Sequence, residues 1–135
     1  MKKLITLTTA AMLSLTFSLV AYGEVKVKVG KETLPITKSE NVEGTIFVPF
    51  RAVTESLGYK VTWIPEFKII SVGDVFAHQV GTSFVIMQDG TIKDIKKDSY
   101  IDTNGDTMVS ARLFAEALGY TVRWDGKTET VNLTK

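Results

Sequence analysis

The stretch that decides the fold is VPFRAVTESLGYKVTW, residues Val48–Trp63. It predicts a short strand, a helix that begins near Pro49, a stop at Gly58 and a second strand. Proline is tolerated in the first helical turn, because the N–H that it lacks has no partner within the helix there. Glycine at a helix end favours the positive φ that terminates the helix. The stretch therefore predicts a strand–helix–strand unit.

The same pattern recurs 61 residues later as VSARLFAEALGYTVRW, Val109–Trp124. Alignment of residues 44–72 with 105–133 gives nine identities in 29 positions. A one-residue insertion extends the alignment upstream, where Gly30 aligns with Gly90. Self-similarity at a fixed offset indicates duplication, and two copies are too few for a solenoid. We predict two units packed on each other, residues 25–72 and 85–133, joined by residues 73–84.

Each unit also carries two predicted hairpins. Valines alternate with lysines over residues 25–29, which is typical of a half-buried strand, and a turn follows at Gly30. In the second unit, residues 84–87 lead to Asp89-Gly90, a strong hairpin signal. Strand pairs also follow the helices, with a looser connection at residues 64–67 than at Asp125-Gly126. The fold class is α+β: a duplicated unit of short antiparallel β-strands with one short helix per unit.

The predicted helices, of about nine residues, are too short to be stable alone, so each needs one buried face. Ser110 occupies the place of Pro49 in the second copy and is predicted to be an N-cap. The predicted buried faces are Phe50, Val53, Thr54 and Leu57 in the first helix and Ala111, Phe114, Ala115 and Leu118 in the second.

The N-terminus has the pattern of a secretory signal peptide, residues 1–23. A basic start, Met1-Lys2-Lys3, precedes the uncharged residues 4–20, and Ala21-Tyr22-Gly23 supplies small residues before the cleavage point. An uncleaved anchor is the alternative, but 17 residues is the short limit for a membrane-spanning helix, and Thr and Ser dilute this segment. We expect cleavage, a mature domain of residues 24–135 without a membrane span, and a secreted, extracellular protein.

Composition excludes several classes of function. Residues 24–135 hold 14 basic and 15 acidic side chains, a balance that argues against nucleic acid as a partner. The chain has no cysteine, which excludes disulfides, thiolate metal sites, Cys nucleophiles and a lipid-modified N-terminal Cys.

With both copies in view, the chain resembles stalk domains, the modules similar to the N-terminal domain of copper amine oxidases. The second copy departs from the pattern at Ser110 and Ala111, where Pro and Leu are usual. The resemblance covers nearly all of residues 25–133. The structural motif residues that carry it are Arg51, Glu55, Gly58, Trp63, Arg112, Glu116, Gly119 and Trp124.

The resemblance implies a non-catalytic function. In the oxidases this domain is an appendage remote from copper and the quinone cofactor, and this chain has no His-x-His copper pattern. Relatives occur mostly on secreted and surface proteins of Gram-positive bacteria. The implied function is a module that binds or spaces at the bacterial cell envelope, with a cell-wall polymer or another extracellular protein as partner. The alternative is an extracellular accessory or inhibitor protein that docks on a secreted enzyme, and a homodimer formed by strand addition is possible.

Several residues are weighed as sites. Arg51–Glu55 and Arg112–Glu116 are interpreted as structural i, i+4 pairs rather than as a repeated ligand site. The aromatic pairs Tyr59/Trp63 and Tyr120/Trp124 have the chemistry for sugar stacking, but their strand pattern favours the core. Phe67 and Tyr100 are the better candidates for exposed contacts.

The remaining candidates are weaker. Asp102–Asp106 resembles the start of a calcium loop, but Thr107 and Leu113 stand where Gly and Glu are required. His78, the only histidine, is expected to be hydrogen-bonded or solvent-facing. The lysines of residues 93–97 alternate with acids and indicate a solvated face, with weak attraction to anionic wall polymers. A hydrolase with paired carboxylates is the least favoured hypothesis, and no catalytic, cofactor-binding or metal-binding residue is assigned.

Overall fold

The computed structural model describes residues 25–36 and 38–135, so the predicted signal peptide lies outside the described residues. Within these ranges the chain is mostly β with two short helices, which fits the predicted α+β class. No helix in the described ranges is long and apolar enough to cross a membrane. The elements are β1 (Lys26–Val29), β2 (Glu32–Thr33), β3 (Glu40–Val42), β4 (Thr45–Pro49), α1 (Phe50–Ser56), β5 (Val61–Ile64), β6 (Ile69–Val72), β7 (Phe76–Gln79), β8 (Phe84–Met87), β9 (Ile92–Asp94), β10 (Tyr100–Ile101), β11 (Thr107–Ser110), α2 (Arg112–Leu118), β12 (Thr121–Asp125) and β13 (Thr130–Thr134).

The strands form three sheets, of order β12-β13-β1-β2, β10-β11-β4-β3 and β5-β6-β7-β8-β9. The prediction of antiparallel pairing throughout is wrong for one pair. β1 and β13 are parallel, with Val27 opposite Val131. The reason is that hairpin β1–β2 joins the last strands of the chain rather than strands of its own predicted unit.

The segment predicted to be a connector, residues 73–84, supplies β7 at the centre of the third sheet. β7 pairs with β6 on one side and with β8 on the other. Phe76 and His78 are buried, whereas Ala77 and Gln79 are more exposed. This period-2 alternation makes the segment a half-buried strand, so the prediction of a plain connector is wrong.

Positions that align between the two sequence copies occupy matching places in the sheets. Val48 of β4 lies opposite Val109 of β11, its own aligned position. Trp63 pairs with Ile70 in the same way that Trp124 pairs with Val131. The connections 65–68 and 126–129 have equal length, so the predicted contrast between a loose and a tight turn is wrong. The geometry suits a duplicated unit, and the duplication itself stays a prediction.

Both helices pack into one aromatic core. The rings of Phe50 and Phe114 are stacked with centroids 6.3 Å apart, and Phe76 meets Phe50 edge-on at 6.2 Å. Each helix has seven residues, fewer than predicted. α1 packs against β4, β5 and β11, while α2 packs against β8, β9 and β12.

The buried face of α2 is broader than predicted. Leu113 and Ala117 are buried, whereas Ala115 is only half-buried. The broader face follows from packing on both β12 and the β8–β9 hairpin. In α1, Leu57 is half-buried and follows the last helical residue.

The helix ends follow the prediction except at the start of α2, and α1 begins directly after Pro49. Gly58 follows α1 with φ of 92° and Gly119 caps α2 with φ of 77°, the left-handed conformation predicted for both. Ser110 is not an N-cap, because α2 begins one residue later, after Ala111. The Ser110 hydroxyl instead donates a buried hydrogen bond of 2.9 Å to the carbonyl of Ile95.

Candidate functional site

A surface cleft lies between α1 and the segment that follows β10. Its two parts have volumes of about 360 and 240 Å³. The two parts adjoin, because Phe50, Arg51, Asp106 and Thr107 line both. The first part also reaches Lys38 and Glu55, and the second part reaches Trp63 and Ile101.

The floor of the cleft is apolar and rigid. Phe50, the first residue of α1, is 1% exposed, and Val61 and Ile70 come from the paired strands β5 and β6. These side chains belong to the hydrophobic core. The cleft is therefore built on packed elements and not on loops alone, which fixes its shape.

Trp63 forms an open aromatic wall of this cleft. It lies on β5 two residues after buried Val61, so both side chains point to the same face of the sheet. However, β5 is the edge strand of the third sheet, and Trp63 is 37% exposed. The prediction that Trp63 packs in the core is therefore wrong in part. Alternation along a strand tells which face of the sheet a side chain lies on, but not whether another element covers that face at the edge of the sheet.

Two ion pairs stand at the rim. Arg51 Nη1 lies 3.7 Å from Glu55 Oε2, one helical turn away on α1. Lys38 Nζ pairs with Asp106 Oδ2, and this hydrogen bond raises the pKa of Lys38 above 10.5. The rim thus holds two cations and two anions, all in reach of water, and its formal charge balances.

The predicted calcium-like segment is an ordinary turn beside the cleft. One carboxylate oxygen of Asp102 accepts hydrogen bonds of 2.9 Å from the N–H groups of Asn104 and Asp106. The carboxylate of Asp106 pairs with Lys38. Among the residues that the structure describes, no group of three or more His, Cys, Asp or Glu side chains is placed to hold a metal ion.

The matching residues of the second copy lie away from this cleft. Arg112 and Glu116 approach to 3.3 Å on α2, and neither they nor Trp124 line the cleft. Trp124 is 39% exposed, so the prediction of core packing is wrong for it as for Trp63. Tyr59 and Tyr120 are half-buried against the core. Of the motif residues, the structure brings together Arg51, Glu55 and Trp63, while Gly58 and Gly119 act through the backbone.

The other aromatic candidates differ from each other. Phe67 is 64% exposed, as predicted for a surface contact. Tyr100 is half-buried, because its ring packs edge-on against Phe47 at 5.2 Å. The prediction of an exposed Tyr100 is therefore only partly right.

Two groups of surface residues are marked by no motif in the sequence. Lys38 and Asp106 are 68 positions apart and meet only through the fold. Ile86 and Ile92 face each other across β8 and β9 and are 46% and 65% exposed. β8 is apolar at all four positions, so its sequence does not mark Ile86 as an exposed residue, and no motif marks the Lys38–Asp106 pair.

His78 is a structural residue inside the third sheet. It is 1% exposed, with Nδ1 2.7 Å from the carbonyl oxygen of Phe84 and Nε2 2.6 Å from Ser99 Oγ. A carbonyl only accepts, so Nδ1 donates its hydrogen and Nε2 accepts from the Ser99 hydroxyl. Burial lowers the pKa of His78 below 6.5, which keeps the ring neutral.

In the lysine-rich segment 93–97, Lys96 is paired with an acid of the same segment. Lys96 Nζ lies 3.4 Å from the Asp94 carboxylate. The Lys96 N–H also donates to Asp94 Oδ1 at 2.7 Å, and this hydrogen bond lowers the pKa of Asp94. Lys96, Lys97 and Asp98 are exposed, which fits a solvated face.

Comparison with known proteins gives one match. The family model described as the copper amine oxidase N-terminal domain matches residues 28–133. No curated protein and no solved structure matches the chain.

Proposed function

The chain belongs to the copper amine oxidase N-terminal domain family, and we propose that it is an exported module that binds at the bacterial cell envelope. The family's N-terminal domain is itself non-catalytic. The chain is therefore proposed to bind a partner and not to catalyse a reaction.

The observation that carries this proposal is the cleft beside α1. It combines a buried apolar floor, the open indole of Trp63 and four charged side chains at the rim. Ligand sites in proteins are typically concave and mostly apolar, with a few polar groups that orient the ligand. A ligand in this cleft would cover Trp63, which the sheet leaves open to water.

We propose further that the domain is a duplicated unit. The support is the pairing of aligned positions Val48 and Val109 at the centre of the second sheet. Duplication explains why the motif side chains occur twice, and divergence explains why only the first copy places its arginine, glutamate and tryptophan in this cleft.

Export is proposed from the signal-peptide pattern of residues 1–23. Mass spectrometry of the protein recovered from culture medium tests it. A chain that starts at Glu24 supports cleavage, whereas retention of the full-length chain in the membrane fraction supports the uncleaved anchor.

Co-sedimentation of residues 24–135 with purified Gram-positive cell wall tests envelope binding. Because the charges at the rim balance, we expect binding to persist when salt is raised from low to moderate concentration. Binding that disappears with salt would indicate screened charge attraction, as expected of the lysine-rich segment 93–97 and not of the cleft. No binding at either salt concentration overturns the proposal.

A second candidate function is docking on a secreted enzyme as an accessory or inhibitor protein. The exposed pair Ile86–Ile92 favours it, because adjacent apolar side chains on an outer sheet face are typical of protein contacts. Substitution Ile86→Asp would then abolish complex formation with one defined secreted enzyme while leaving wall binding intact.

Sedimentation velocity of the protein alone at two concentrations tests the homodimer.

A further inference from the structure

We propose that the cleft beside α1 binds a glycan chain of uncharged pyranose rings, with one ring stacked on the indole of Trp63. The inference rests on the proposed envelope binding and names the class of ligand. Pyranose rings present C–H groups on their flat faces and hydroxyl groups around their edges. A site for them therefore needs an exposed aromatic face and a ring of donors and acceptors.

The aromatic face is exposed and stands beside buried core side chains. Trp63 is 37% exposed, and its cross-strand partner Ile70 is 3% exposed. Phe50 fills the floor beside it at 1% exposure. The indole thus lines the cleft together with buried core side chains, and more than a third of it stays open to water. Tryptophan offers a large apolar surface with few rotatable bonds, so ordering it on binding loses little entropy.

The rim offers the matching polar groups. Arg51 and Asp106 line both parts of the cleft, and Glu55 and Lys38 extend the rim along the first part. Guanidinium and ammonium groups only donate hydrogen bonds, and carboxylates only accept them. A hydroxyl group does both, so neighbouring hydroxyls of one sugar ring can use both members of an ion pair.

The charge of the rim selects against a polyanion. Two cations and two anions line the cleft, and each cation is paired with an anion, Arg51 with Glu55 and Lys38 with Asp106. An anionic polymer would have to compete with Glu55 and Asp106 for these cations. Uncharged rings meet no such competition, which favours the glycan strands of the wall over its phosphate-rich polymers.

The two tryptophans of the chain make a direct test possible, since Trp63 and Trp124 are the only ones. Trp124→Phe leaves Trp63 as the sole indole reporter, and Trp63→Phe leaves Trp124. The probe is a soluble hexamer of β-1,4-linked N-acetylglucosamine, followed by tryptophan fluorescence. We expect a saturable change in emission from Trp124→Phe and none from Trp63→Phe. A saturable change from Trp63→Phe alone would place the site at Trp124 and overturn the proposal.

Wall co-sedimentation with a matched pair of variants completes the test. Trp63→Ala and Trp124→Ala remove equally exposed side chains from corresponding strand positions. We expect Trp63→Ala to weaken wall binding about tenfold, which corresponds to ~1.4 kcal/mol, and Trp124→Ala to leave it unchanged. Circular dichroism of both variants checks that they are folded. Equal losses in both variants overturn the assignment to this cleft.

The outcomes separate the two levels of the proposal. If the wild-type protein binds wall but the hexamer causes no emission change, the glycan inference fails and envelope binding stands. If a soluble wall peptide displaces the protein from wall and the hexamer does not, the ligand is a peptide and the glycan inference is again overturned. If the wild-type protein does not bind wall at all, the proposed function itself fails.

Discussion

His78 joins three segments of the third sheet and its surroundings through a single neutral ring. Besides its bonds to Phe84 and Ser99, the network continues, because Ser99 Oγ also accepts the N–H of Gly81 at 3.0 Å. Protonation of His78 would put a second donor against the Ser99 hydroxyl inside the core. The cost of burying that charge is what lowers the pKa of His78.

We therefore predict that acid weakens the fold through His78. The unfolded chain takes up the histidine proton near pH 6.5, whereas the folded chain takes it up only at lower pH. Between these two values the unfolded state binds more protons, so the free energy of unfolding falls as the pH falls through this window and levels off below it. Urea unfolding from about pH 7.5 to about pH 5 measures the slope. The variant His78→Gln should lose the slope, and a flat wild-type profile contradicts the prediction.

Thr54 is also a buried polar residue, but unlike His78 it has no hydrogen-bond partner among the described residues. Its side chain on α1 is 0% exposed, and its hydroxyl has no hydrogen bond among the described residues. Because an unpaired buried hydroxyl costs about 1–3 kcal/mol, we predict that Thr54→Val raises the free energy of unfolding by about 1 kcal/mol. Urea unfolding measures it. Thr62→Val on the exposed face of β5 is the control, with a change below about 0.5 kcal/mol. A loss of stability in Thr54→Val would mean that the hydroxyl is bonded after all.

The elements themselves end where glycine takes a conformation that other residues avoid. A Cβ added at Gly58 or Gly119 would meet nothing within 4 Å, so substitution there strains only the backbone. We predict that Gly58→Ala lowers the free energy of unfolding by about 1–2 kcal/mol, the usual penalty of the left-handed conformation. Thermal unfolding measures the difference.

Gly126 provides the matched control. Its φ is not in the left-handed range, and an added Cβ would only touch Trp124 Nε1 at 3.6 Å, an ordinary contact. Gly126→Ala is expected to change the free energy of unfolding by less than about 0.5 kcal/mol. Equal effects of Gly58→Ala and Gly126→Ala would rule out backbone strain as the cause.

Local signals predicted the elements that depend on a few neighbouring residues. The turn at Gly30, the hairpin at Asp89-Gly90 and the helix stops at Gly58 and Gly119 are all found. The predicted N-cap role of Ser110 is wrong because a serine between a strand and a helix suits either the end of the strand or the cap of the helix. The alternating burial of β7 is not visible in its residues, because Phe76-Ala77-His78-Gln79 places a buried polar histidine two residues after a buried phenylalanine.

Features that depend on distant residues were beyond the sequence. The parallel pairing of β1 with β13 joins segments about one hundred positions apart, and no periodicity reports such a pairing. The cleft illustrates the same limit. The motif supplied Arg51, Glu55 and Trp63, but Lys38 and Asp106 complete the rim only because the chain brings them together.

At the scale of the whole molecule, the two predicted units are interlocked. Hairpin β1–β2 completes a sheet with β12 and β13, whereas β5 and β6 reach hairpin β8–β9 through β7. The buried residues of both units form one hydrophobic cluster. Neither unit therefore has a sheet system of its own to keep when the other unfolds.

We predict a single cooperative unfolding transition. Trp63 reports on the third sheet and Trp124 on the first. Urea titrations of Trp124→Phe and Trp63→Phe, followed by fluorescence, should each agree with circular dichroism of the same variant. Coincident midpoints within each variant are the signature of two-state behaviour. A tryptophan signal that changes before or after the loss of secondary structure would mean that the units unfold separately.

The parallel pairing of β1 and β13 also decides how the domain carries mechanical load. Because the two strands run in the same direction, the start of β1 and the end of β13 lie at opposite ends of the pair. Tension applied between these two points slides one strand along the other, so their backbone hydrogen bonds are strained together and not opened one after another. In an antiparallel pair the same two points would lie at one end of the pair, so tension between them would open the hydrogen bonds one after another. A domain held at these two points would therefore resist extension along the line of pull.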